Sequence, residues 1–171
     1  MPNVILGNIL SGFSAGFLIL SALLKRKKAI YFSQCMESLF LFFAQLAFFQ
    51  IGAAICLFIS IIKNILLYFG KYSRAPMVLV ALASFVFGVI YNTGGVIGLI
   101  PVAASVLFSI TCYFAKSVIG IKLVTASNLA LWSIYSFFIF DLVSFIVNGF
   151  SLAVNLFYVI KNYKGVSDQK G

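Results

Sequence analysis

The chain contains no histidine and only three acidic side chains, Glu37, Asp141 and Asp168. With no imidazole and so few carboxylates, neither a structural nor a catalytic metal site is expected. Cys35, Cys56 and Cys112 lie singly in apolar stretches, without the spacing of metal ligands, and read as packed side chains. No nucleophile has a base nearby, and no glycine-rich loop stands beside a lysine to cradle phosphate. Gly94-Gly95 belongs to a turn and not to a nucleotide site. Catalysis and cofactor binding are therefore not expected, and any movement of a solute has to draw on a gradient or run passively. The net charge of +9 would suggest nucleic acid in a soluble protein. Here its place in the pattern described below points to one side of a membrane, with no nucleic-acid partner.

What the chain has in abundance is apolar length. Apolar residues make up 63% of it and charged residues 9%, against about 25% charged in an average globular chain. The apolar runs are continuous, which favours helices over alternating strands, and roughly 20 helical residues cross a bilayer core. Spans are expected at 4–24, 30–49, 51–70, 76–91, 95–115, 119–139 and 141–160. Tight connections fall at Gln50 and Asp141, where water is expected to satisfy the side chains. The sequence thus predicts an all-α membrane protein of seven transmembrane helices, with the lipid bilayer as its first partner. Met1-Pro2-Asn3 lacks a basic leader and the run Lys25-Arg26-Lys27-Lys28 follows the apolar stretch, so the first segment reads as a retained helix. Small residues in Gly12-Phe13-Ser14-Ala15-Gly16 are expected to let helices approach closely, and the 20 phenylalanines to face lipid and fill the core.

Seven spans put the ends of the chain on opposite sides. Lys25–Lys28, Lys71, Arg74, Lys116, Lys122, Lys161, Lys164 and Lys170 then share one side, and the other carries neither Lys nor Arg. By the positive-inside rule the N-terminus is expected outside and the C-terminus in the cytoplasm. Lys63 lies within the third span, where it can snorkel to the cytoplasmic end or pair with Glu37. Tyr68, Tyr72 and Tyr163 are expected at the cytoplasmic interface.

Residues 7–72 recur without a gap, at a shift of 91, as residues 98–163. Gly7, Ile9, Ser14, Phe17, Ile19, Lys25, Ile30, Ile55, Ser60, Asn64 and Tyr72 fall on identical residues in the second copy. Internal duplication in a membrane chain is a frequent trace of a transporter. Three-helix copies would be inverted if they adjoined, but the extra span at 76–91 makes them parallel. The expected organisation is a first bundle at 1–72, a linker helix at 73–94, a second bundle at 95–164 and a disordered tail at 165–171.

This 3+1+3 plan resembles the SWEET, PQ-loop and MtN3 group of small transporters. Within that group the length, tight turns and sparse polar residues are similar to the YgjV family of bacterial inner-membrane proteins. The resemblance implies a SWEET-like fold in the inner membrane. SWEET-type transporters carry an asparagine on the third helix of each repeat, facing the substrate path, which implies that role for Asn64 and Asn155. The group's helix-hinging prolines are mostly absent: only Pro101 lies in a repeat helix, and neither copy has a Pro-Gln pair. Single-repeat relatives of the fold pair as dimers, whereas a chain with both repeats can form its path as a monomer; monomer and homodimer both stay open.

Polar side chains within the membrane are costly unless they face a cavity or a partner. Glu37, its repeat equivalent Asn128, and the matched Asn64 and Asn155 sit at similar depth. Trp132 continues the face of Asn128 by one turn and Tyr135 follows it, offering rings to stack on a ligand or a neighbouring helix. These six residues are the expected substrate site, with Gln34, Gln45, Gln50, Asp141 and Asn148 as weaker candidates. Amides donate and accept, which suits a small polar solute such as a sugar or another polar metabolite. Glu37 also invites a role in proton coupling. The expected function is transport by alternating access between two bundles. The alternative is a non-transporting scaffold or regulatory subunit whose amides only join helices; a channel fits less well, since no helix carries a continued row of polar residues.

Overall fold

The computed structural model describes residues 3–167, with side-chain surroundings as far as residue 162. Those residues form seven helices: α1 (Val4–Leu23), α2 (Lys27–Ala47), α3 (Ile51–Tyr68), α4 (Arg74–Ile90), α5 (Leu99–Phe114), α6 (Val118–Phe138) and α7 (Leu142–Ser167). Helix α7 continues into the expected tail as far as Ser167, and residues 168–171 lie outside the described residues. Five helices, α1, α2, α3, α6 and α7, are long and apolar enough to cross a membrane. Helices α4 and α5 are shorter, at 17 and 16 residues, or about 24–26 Å at 1.5 Å per residue. The start of α5 slips from the expected 95 to Leu99 because Asn92 ties up the turn. Its Nδ2 donates to the Gly95 carbonyl at 2.7 Å and its Oδ1 accepts from Gly94 N at 2.9 Å. Pro76 and Pro101 both sit in the first turn of a helix, where the missing N–H costs nothing.

Hydrogen bonds between loops order the two ends of the molecule. At one end Asn3 N donates to Ala47 O (2.9 Å), Thr93 Oγ1 donates to Phe49 O (2.9 Å), and Asn8 Nδ2 donates to Phe140 O (3.3 Å). At the other, the Lys27 ammonium donates to the Lys116 carbonyl and Tyr72 OH donates to Ser109 O at 3.0 Å. Successive helices therefore run antiparallel. The described Lys and Arg residues, apart from Lys63, cluster towards the second end. Lys122 is more than a surface charge there. It is 1% exposed, and its Nζ donates to Ser21 O (2.7 Å) and Ala22 O (2.5 Å), closing the carbonyl end of α1 with a cation.

The two tight connections share one backbone form. Phe49 and Phe140 both adopt left-handed φ, 59° and 60°, and Gln50 N and Asp141 N return to Gln45 O and Ser136 O at 2.9 and 3.0 Å, a Schellman-type helix end. Their side chains differ. Asp141 is fully buried rather than hydrated: its Oδ1 accepts from Ser144 N (3.0 Å) to cap α7, and its Oδ2 accepts from Ser11 Oγ (2.8 Å) on α1.

Neighbour packing closes a ring. Helix α1 packs on α2, α2 on α3, α3 on α5, α5 on α6, α6 on α7, and α7 on α1. Helix α4 lies outside, in the groove between α3 and α5, and buries only one stripe, Val80, Ser84 and Gly88. Backbones approach closely here rather than at Gly12 and Gly16, which are exposed and have nothing within 4 Å of a Cβ position. A Cβ on Gly52 would meet the Gly88 carbonyl oxygen at 2.9 Å, and one on Gly88 would meet Val102 Cγ2 at 2.7 Å and Cys56 Sγ at 2.9 Å. Gly52→Ala should therefore cost about 1–3 kcal/mol through overpacking against backbone. Gly16→Ala should be neutral or slightly stabilising. Thermal midpoints of the two variants in detergent, compared with the parent, check the contrast.

Candidate functional site: a polar cavity inside the ring

The cavity in question is lined by all six ring helices and not by α4. Leu18 comes from α1; Gln34, Glu37, Ser38 and Leu41 from α2; Leu57, Ser60, Lys63 and Asn64 from α3. Ser105 and Phe108 come from α5; Thr125, Asn128, Leu129 and Trp132 from α6; Asn148 from α7. The four residues of α2 follow i, i+3, i+4, i+7, one stripe of a helix, and the four of α6 repeat that spacing. Shifted by 91, Gln34 falls on Thr125, Glu37 on Asn128, Ser38 on Leu129, Leu41 on Trp132 and Leu57 on Asn148. Positions 91 residues apart thus face each other across one space.

The free space is small, about 40 Å³, room for about three waters. Side-chain contacts stand at both of its ends. Towards the basic end Gln34 Nε2 donates to Thr125 Oγ1 at 3.2 Å, above a cluster of Ile30, Tyr31 and Ile121. Towards the other end Leu41, Ala44, Phe48, Leu57, Trp132 and Tyr135 form an apolar plug, crossed by a bond from Tyr135 OH to Gln45 Oε1 at 2.9 Å.

Of the six expected site residues, four line the cavity: Glu37, Asn64, Asn128 and Trp132. Because α2 begins at Lys27 and not at 30, Glu37 lies ten residues in, about 15 Å and deeper than its expected two turns. Asn155 and Tyr135 do not line the cavity. Asn155, 1% exposed, turns its Nδ2 onto Ser151 O at 2.7 Å in its own helix, the back-bond short polar side chains favour. Tyr135 points into the plug, edge-on to Trp132 at 5.6 Å between ring centroids. Their places are filled by Asn148, Gln34, Ser38, Ser60, Ser105, Thr125 and Lys63. For Gln34, Thr125 and Asn148, pairing at the 91-residue shift combined with the α2 and α6 stripes was the available signal.

Lys63 neither snorkels nor pairs. It is fully buried, its Nζ has no hydrogen-bond partner among the described residues, and it stands 3.6 Å from the centre of the Phe108 ring, a cation–π contact. Asn64 Oδ1, Asn128 Oδ1, Gln34 Oε1 and Asn148 Nδ2 are also buried without partners. No group of three or more His, Cys, Asp or Glu residues could hold a metal among the described residues.

A family model described as a bacterial inner membrane protein, Imp-YgjV, matches residues 5–165. The chain belongs to that family. As an Imp-YgjV member it is an integral protein of the bacterial inner membrane, which agrees with its five membrane-length apolar helices. Comparison with curated proteins and with solved structures gives no match. In this Imp-YgjV chain the bond from Tyr135 to Gln45 is a fully buried polar link between α2 and α6. Tyr135→Phe would leave Gln45 with both ends of its amide unpaired, since Nε2 already has no partner. A loss of about 1 kcal/mol is expected, read as a lower midpoint in detergent, with Tyr158→Phe as the control.

Proposed function

We propose that the chain is a small-solute transporter that works by alternating access, with the central cavity as its binding site and the described arrangement as an occluded state. The observation that carries this reading is the pairing of repeat-equivalent residues around one polar space. A transporter built from two copies needs its site on the axis relating them. The 3+1+3, SWEET-like organisation into two parallel three-helix bundles with α4 as linker belongs to the same proposal. Its support is the neighbour pattern: exchanging α1–α3 with α5–α7 carries the α3–α5 contact onto the α7–α1 contact, and the turns at Phe49 and Phe140 match. The orientation we propose, N-terminus outside and C-terminus cytoplasmic, follows from the basic residues gathered at one end.

In this scheme the solute enters when one closure parts and leaves when the other does. The Gln34–Thr125 bond with Ile30 and Ile121 bars the cytoplasmic side, and the Tyr135–Gln45 plug bars the outer side. The scaffold reading draws on the same two bonds, since each also joins α2 to α6. The two readings separate on hydration of the cavity. In a background lacking Cys35, Cys56 and Cys112, Asn64→Cys and Asn148→Cys are expected to react with a membrane-impermeant maleimide from at least one face of oriented vesicles. Unreactive thiols in a correctly inserted protein would favour the scaffold.

A further inference from the structure

Glu37 and Lys63 line the same cavity, yet Lys63 Nζ makes no hydrogen bond to the carboxylate or to any other described group. A buried ammonium without a partner costs several kcal/mol, and a single aromatic face recovers only part of that. The two opposite charges line one space without a hydrogen bond between them, and each retains room there for a ligand's counter-charge. A ligand carrying both signs supplies the two at once.

We infer that the cavity binds a small zwitterion, its anionic group on Lys63 Nζ and its cationic group on the Glu37 carboxylate. This rests on the transporter reading of the same cavity and adds the class of solute. A simple anion would satisfy Lys63 but meet the charge of Glu37, and a simple cation would do the reverse. A neutral polyol would leave both charges with dipoles only. The unpartnered amides fit the same ligand. Asn64 Oδ1, Asn128 Oδ1 and Gln34 Oε1 offer acceptors to an ammonium, and Asn148 Nδ2 offers a donor to a carboxylate. The small free volume confines the class to compact molecules. The charges sit in the first copy alone: Asn128 and Val154 stand where Glu37 and Lys63 would recur. The site is therefore one-sided within a two-fold frame, as a ligand with distinct ends requires.

The test is equilibrium binding of labelled L-alanine to the purified full chain, with L-lactate, isopropylamine and glycerol as competitors of similar size that lack the ammonium, the carboxylate or both. Saturable binding of alanine, with each competitor at least about tenfold weaker (1.4 kcal/mol), is the expected result. Glu37→Gln should weaken alanine at least about tenfold and shift preference towards lactate; Lys63→Met should shift it towards isopropylamine, changes that a merely structural role would not produce. Glycerol competing as well as alanine, or no alanine binding by folded protein, overturns the inference, and the unaltered chain decides this even if both variants misfold. Counterflow into proteoliposomes separates it from the transporter reading. Alanine that binds but does not cross sustains the site and removes transport; glycerol that crosses while alanine does not sustains transport and removes the zwitterion.

Discussion

Hydrocarbon offers no partner to a polar group, and the rest of this structure follows from that constraint. The chain meets it by turning itself inside out relative to a soluble protein. Large apolar side chains such as Phe13, Phe58, Phe85, Phe137 and Phe157 are exposed, while Ser11, Ser33, Gln45, Asn64, Ser105, Ser136 and Asn155 are buried. A ring of six helices is the simplest arrangement that gives every polar stripe an interior to face. Helix ends obey the same demand by local means: Asn3 caps α1, Asp141 caps α7 and ties it to α1, and Lys122 closes the carbonyl end of α1.

Within that ring the segments related by the shift of 91 share a frame and differ in chemistry. Their turns have the same left-handed phenylalanine, and their second helices present the same stripe to the centre. Polarity is distributed unequally, however. Helix α3 brings Ser60, Lys63 and Asn64 to the cavity, whereas α7 brings Asn148 alone among the described residues. Asn155 spends its amide on its own backbone.

The helices were legible because long apolar runs broken by Asn, Gly, Pro and charge leave few alternatives, and five of seven boundaries moved by no more than two residues at the N-terminal end. The larger shifts have local causes. Helix α2 starts early because Lys27 and Lys28 can be helical once Lys27 is tied to the Lys116 carbonyl, and α5 starts late because Asn92 holds the turn. Of the cavity lining, Glu37, Asn64, Asn128 and Trp132 were legible through depth and repeat position. Asn155 was not, since identity at a matched position does not fix a side-chain rotamer when a carbonyl one turn back competes for the amide.

Sequence alone determined that the chain is a helical membrane protein with its positive charge at one end, because hydropathy and charge act through the bilayer and need no tertiary contact to be read. It also carried the recurrence at a shift of 91 on which the two-bundle proposal rests. Tertiary structure decided that α4 stands outside the ring, that Asp141 is buried against Ser11, and that Lys63 sets its ammonium over the Phe108 ring without a hydrogen bond. Those outcomes depend on distances of a few ångströms between residues far apart in the chain. Only the closed ring sets such distances.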